Sequence, residues 1–222
     1  MVSVCLSACA TLDNAADAAI GAALASSAPA DPFADIMTYS RDDWSRTVTD
    51  CDRLAAHPND PERVSGGLLN PEMDLPRALE ACERAVASDP GNPRLNYQLA
   101  RVYGYSGRHR EGDLYRDRAL KAGYPQSLFV YGYIRVENWD GRGKDPCYGG
   151  ELILRSARAG RYAGLVGFPH YALAGEFEAC SAYPIVHEAE MRGFLDRAGE
   201  EASDYYQTLL VRELTRRLED KN

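Results

Sequence analysis

The residues that could do chemistry are few, and their spacing argues against most of the reactions they resemble. His187-Glu188-Ala189-Glu190 opens like a zinc-protease helix, where two histidines four apart hold the metal and the glutamate acts as base. The closing histidine is missing, so the segment reads as a helix start. His57, His109 and His170 have no second ligand at metal spacing, and no CxxC or CxxxxC pair points to zinc. Gly104-Tyr105-Ser106-Gly107 lacks the last glycine of a nucleophile elbow, and it ends a helix where that chemistry needs a strained strand-to-helix turn. Gly141-Arg142-Gly143-Lys144 lacks the full phosphate loop and its Ser/Thr. No cysteine stands beside a histidine in sequence, which leaves only a dyad assembled in space. No catalytic residue, metal site or cofactor is assigned.

Binding chemistry is better represented. The chain has fourteen tyrosines. Tyr97, Arg101 and Tyr105 recur every four residues, as do Phe129 and Tyr133 further on, so each set shares one helical face. Tyrosine and arginine are enriched where interfaces carry their energy. A groove lined by them would accept an extended or helical peptide. The plainer alternative is surface or packing between helices. Tyr103 and Tyr171 fall on positions expected to face a core.

The elements that would position these residues are paired helices. From Asp74 to Gly123, Ala78, Cys82, Ala85 and Pro90 are followed 34 residues later by Gly112, Arg116, Ala119 and Tyr124, with Pro125 one step late. Between them Leu99, Ala100, Tyr103 and Gly107 mark a helix ending on glycine. A self-similar period of about 34 residues built from helix pairs resembles the tetratricopeptide family. From Ala119 the wording resembles its Sel-one-like variant: Gly132, Gly141 to Asp145, Ala157, Ala159-Gly160, then Ala163, Tyr171, Gly175 and Phe177. The leading-helix marks Leu95, Ser127 and Ala163 lie 32 and 36 residues apart. The resemblance implies an all-α fold, a right-handed superhelix (α-solenoid) of antiparallel helix pairs with a C-terminal capping helix. Repeats are expected over 41–180 and capping helices over 181–222. The first repeat is expected to be degenerate, with a helix from about Asp42 to Ala56 and a long loop from Asn59 to Glu72 carrying Pro61, Gly66, Gly67 and Pro71. Phe168-Pro169 is expected to interrupt a helix. From Val186 to Leu218 apolar residues recur every three or four, with a division expected near Gly199.

Bulk properties narrow the partners. Thirty-three acidic against 25 basic residues give a net charge of −8, which disfavours nucleic acid, whose binding depends on neutralising phosphates. No run of eighteen apolar residues occurs, so no ordinary membrane-spanning helix is expected.

At the N-terminus, Leu6-Ser7-Ala8-Cys9 resembles a bacterial lipobox, with lipidation at Cys9. No Lys or Arg precedes it and the apolar stretch is short, so residues 1–9 read as the remnant of a signal whose start lies upstream. An ordinary apolar tail is the alternative. Residues 10–40, rich in Ala, Ser, Asp and Pro, read as a linker.

Four cysteines then remain, and an even number in an exported chain favours disulfides among three possible pairings. Repeat geometry puts Cys82 mid-helix opposite Cys51 on the preceding helix. It puts Cys147 at a helix start towards which the next helix, ending before Cys180, runs back. Cys51–Cys82 and Cys147–Cys180 are the expected bonds, with four buried free thiols in a cytoplasmic protein as the alternative. The expectation is a non-enzymatic scaffold for a protein or peptide partner, a periplasm-facing lipoprotein of the bacterial envelope touching the membrane only through its anchor. Some cysteine-rich Sel-one-like proteins are associated with β-lactam binding or hydrolysis, so the alternative is an envelope enzyme or binding protein for β-lactam or peptidoglycan-like ligands.

Overall fold

The structure, a computed structural model, describes residues 31–182, 184 and 186–221. Cys9, the signal remnant over 1–9 and most of the expected linker lie outside the described residues. The chain divides after Asp35. Residues 32–35, in the first unit, form a turn. Everything below concerns the second unit, which begins at Ile36.

Among the described residues the regular structure is entirely helical. The α-helices are α1 (Asp50–Ala55), α2 (Leu75–Ser88), α3 (Pro93–Tyr105), α4 (His109–Lys121), α5 (Pro125–Glu137), α6 (Pro146–Arg158), α7 (Tyr162–Leu173), α8 (Glu188–Glu201) and α9 (Tyr205–Glu219). Each packs on the next along the chain, and α1 also touches α3 while α9 also touches α7.

Local sequence sets the boundaries. Asp74, Asp145 and Asp204 cap α2, α6 and α9 through their side chains, each with its carboxylate accepting a backbone N–H of the first turn. At the end of α4, Tyr124 N–H donates to Ala119 O; at the end of α6, Arg161 N–H donates to Ser156 O. Both turns carry Ala-Gly, with Gly123 at φ 67° and Gly160 at φ 79°, the left-handed closure that glycine adopts without strain. Tyr124 and Arg161 therefore hold the same place, at the entry to α5 and to α7.

The expected leading helix from Asp42 is a correction: only Asp50–Ala55 is α-helical, after a short 3-10 turn at Arg41–Asp43. Arg94 donates to the carbonyls of Ser45 (2.9 Å) and Thr47 (3.2 Å), and Asn92 Nδ2 also donates to Ser45 O (3.0 Å). Carbonyls held this way keep the strip extended, and a capping box between Thr49 and Asp52 starts the helix late. The linker likewise stops short of position 40. Met37 N–H donates to Lys121 O at 2.8 Å, and the Tyr39 ring meets Tyr124 edge-on at 5.4 Å. Pro169 does not interrupt a helix, since α7 runs through it. The tail divides at Ala202–Asp204, where Asp204 caps α9, and not at Gly199.

One apolar cluster joins α1, α2 and α3 around Cys51, Ala78, Cys82, Leu95, Leu99 and Tyr103. Another joins α5 to α9 around Val136, Ile153, Phe168, Phe194, Leu214 and Leu218. Tyr97, Ala119 and Tyr124 form a third, with Tyr39 against it. Two disulfides, Cys51–Cys82 and Cys147–Cys180, tie α1 to α2 and the start of α6 to the segment after α7. They fit an oxidising environment outside the cytoplasm. Among the described residues no helix is long and apolar enough to cross a membrane.

Candidate functional site

Helix α3 is buried along its whole length from Pro93 to Tyr103, so its polar side chains must find partners inside. Asp52, wholly buried on α1, receives Arg94 Nε at 2.8 Å and Gln98 Nε2 at 3.0 Å. One turn on, Arg101 donates to the carbonyls of Ala55 (2.9 Å), Ala56 (3.0 Å) and Leu68 (2.6 Å). These bonds clamp the 56–68 loop against α3 and place His57 beside it.

The other side of α3 faces α5 across a cavity of about 590 Å³. Tyr97, Arg101, Tyr105, Phe129 and Tyr133, the five residues picked out by spacing, all line it. Their roles differ. Tyr97 is buried and its hydroxyl accepts from Gln126 Nε2 at 3.1 Å. Arg101 is 8% exposed and committed to the loop, with its guanidinium 5.1 Å from the Tyr105 ring. Tyr105 is 42% exposed at the mouth. Phe129 and Tyr133 are half-buried and stacked at 6.2 Å, and Trp139, 70% exposed, continues the series 6.1 Å from Tyr133. The result is an aromatic rim over a polar floor. Tyr103 and Tyr171 are buried as expected, with hydroxyls bonded to Glu83 and Glu137.

Spacing did not single out the floor. Arg161, 4% exposed, enters the cavity from the turn before α7; its guanidinium lies 5.0 Å from the Phe129 ring and its Nε donates to Gln126 Oε1. His57 Nδ1 accepts from Asn59 N–H at 3.0 Å, so in the neutral ring the proton sits on Nε2. Burial first, then the charges of Arg101 and Arg161, push this imidazole down to about 4. The signal that could have found Arg161 is its match to Tyr124: each follows an Ala-Gly turn at a buried entry position. Nothing local marks an arginine there as a cavity residue, because Gln126 and Phe129 come from 35 and 32 positions earlier.

This chain matches no protein-family model, no curated protein and no solved structure. The site is therefore read from its own chemistry. Its walls are apolar and aromatic, and its floor offers donors: the Arg161 amino groups, the His57 Nε2–H, and the Tyr97 hydroxyl, whose lone pair already accepts from Gln126. The cavity is of the size and character of a ligand site, mostly apolar with a few convergent polar groups. Among the described residues no set of three His, Cys, Asp or Glu side chains is grouped to hold a metal.

Proposed function

We propose that this chain is a non-enzymatic helical-repeat scaffold, akin to tetratricopeptide and Sel-one-like proteins, that docks a protein or peptide partner between α3 and α5. In this reading the helices form antiparallel pairs, α3 with α4, α5 with α6 and α7 with α8, stacked as a right-handed solenoid with α9 as the cap. The recurrent Ala-Gly turns at Gly123 and Gly160 support that reading. So do helices of thirteen residues in each of the first two pairs. The observation that carries the function is the convergence of Tyr97, Arg101, Tyr105, Phe129 and Tyr133 on one cavity. Aromatic side chains on a rigid helical frame give contact area at little entropic cost, the usual make-up of a binding hot spot. The two disulfides favour the bacterial envelope as the site of action, with lipidation at Cys9 as the tether.

The test is capture from an envelope extract with the full chain as bait. The partner should be retained by the wild type and by Tyr206→Ala on α9, and lost with a Tyr105→Ala, Tyr133→Ala double variant. Equal retention by the double variant would reject the groove. Turnover of nitrocefin by the purified chain would reject the non-enzymatic reading in favour of an envelope enzyme acting on β-lactams.

A further inference from the structure

The groove has a charge that the rest of the molecule does not. The whole chain carries −8, yet the cavity is lined by three arginines, Arg101, Arg116 and Arg161, against one carboxylate, Asp140. Asp140 lies 3.7 Å from Arg142, and Arg116 lies 3.5 Å from Asp113. Arg101 and Arg161 have no carboxylate partner among the described residues. Arg101 spends both terminal nitrogens on three carbonyls, which leaves only its buried Nε without a partner. Arg161 differs: among the described residues its guanidinium makes one hydrogen bond, from Nε to Gln126 Oε1, and both terminal nitrogens are left for the cavity. A guanidinium presents five N–H donors, and one this deeply buried with no ion-pair partner in contact has donors left for a ligand. Asp60 is near enough for its field to reach Arg161, but it is taken by the Tyr124 hydroxyl and the Glu62 N–H. His57 beside it is held neutral and so adds a donor without adding an acceptor.

We propose that Arg161 is the floor of an anion subsite, and that the docked partner reaches it with a glutamate side chain flanked by apolar residues. This rests on the docking role of the groove and names what that groove reads. Charge complementarity selects a carboxylate, whose two oxygens match the guanidinium fork. The walls select a side chain over a chain terminus. The lining contributed by α5 includes Phe129, Val130 and Ile134, none with a polar side-chain atom, beside the polar tips of Gln126, Ser127, Tyr131 and Tyr133. A peptide terminus would have to bring main-chain N–H and C=O groups past the apolar ones, stripped of water. A glutamate sends only two methylenes down the same path. Its apolar neighbours stay above, on Tyr105, Tyr133 and Trp139.

The test uses the full oxidised chain and three probes in isothermal titration calorimetry. The first is the pentapeptide Ala-Phe-Glu-Leu-Ala, acetylated and amidated. The second is its glutamine twin with the same caps, and the third the glutamine peptide with a free C-terminal carboxylate. The glutamate peptide should bind at least tenfold more tightly than either of the others. Arg161→Gln should erase that preference, and Arg161→Lys should restore part of it, with intact disulfides and an unchanged circular dichroism spectrum showing that both variants fold. Equal binding of the twins would overturn the anion subsite while leaving the docking groove in place. Preference for the free terminus would overturn the choice of a glutamate. Binding of none of the three would overturn the subsite and count against the groove itself.

Discussion

The Tyr124 hydroxyl donates to Asp60 Oδ2 at 2.7 Å across 64 residues of sequence, and both side chains are wholly buried. This bond fastens the 57–68 loop, and with it the His57 wall of the cavity, to the entry of α5. Burial raises Asp60 to about 6, with the Tyr124 bond pulling the other way. A folded-state value above the ordinary carboxylate range means that the folded chain takes up the proton first. Asp60 therefore adds stability as pH falls from about 6 towards 4, and that contribution is lost as pH rises through 6. Tyr124→Phe removes the donor and should cost about 1–3 kcal/mol at pH 8, where the carboxylate is ionised. The cost should shrink at pH 5, where the carboxyl is largely protonated. Urea unfolding at the two pH values measures both.

His57 has the opposite sign. Its folded value, pushed down to about 4, lies below the ordinary 6.5, so the folded chain resists protonation. The stability tied to the neutral ring is complete above about 6.5 and drains away as pH falls to 4. His57→Asn keeps an acceptor for the Asn59 N–H and carries no titratable group. The variant should unfold with a shallower loss of stability between pH 6.5 and 4 than the wild type. An unchanged slope would mean that neither burial nor the two arginines hold His57 neutral in the folded chain.

What the sequence could and could not reveal follows from the range of the forces involved. Helix α2 was legible because a capping aspartate, Pro76 and buried residues at three- and four-residue spacing are all local signals. The shared face of Tyr97, Arg101 and Tyr105 on α3, and that of Phe129 and Tyr133 on α5, was legible for the same reason. The extended strip from Trp44 to Thr49 was not, because Arg94 and Asn92, more than forty residues away, hold its carbonyls. Pro169 misled because a proline forfeits one helical bond, and packing of α7 around Leu165, Phe168 and Tyr171 outweighs that loss. Arg161 escaped notice because a buried arginine is legible only through the residues around it, and those lie on another helix.

Arg94 is the strongest test of how α1 is held. It pairs with Asp52 through Nε at 2.8 Å, with both side chains removed from water. Arg94→Leu leaves the Asp52 carboxylate buried with no counter-charge, which should cost about 3–5 kcal/mol. Replacing both partners, Arg94→Leu with Asp52→Leu, should cost less than that single change, because no orphaned charge remains. Thermal melts of the wild type and the two variants give the comparison.

The disulfides lie at sequence separations of 31 and 33, and closing loops of that length should stabilise the fold by about 2–5 kcal/mol each. Loss of Cys147–Cys180 through Cys180→Ser should loosen the segment after α7, so that peptide amides over 175–182 exchange faster with deuterium. The α1 to α3 region, closed by its own bond, should keep its protection. Loss of protection across both regions would mean that the unit folds as one cooperative block.

The approach of α5 to α6 depends on two glycines. A Cβ on Gly132 would stand 2.6 Å from Gly149 O, and a Cβ on Gly149 would stand 2.7 Å from Gly132 O. Neither backbone can move without separating helices whose neighbouring side chains, Val136 and Ile153, belong to the core. Gly132→Ala and Gly149→Ala should each destabilise by about 1–3 kcal/mol as overpacking does. The double variant should cost less than their sum, since the first substitution already forces the helices apart. Gly132 lies between Phe129 and Tyr133 on α5, so its alanine variant should also weaken capture of the partner, whereas Gly193→Ala, inside α8 with open space at its Cβ, should leave capture unchanged and raise stability by about 0.5–1 kcal/mol.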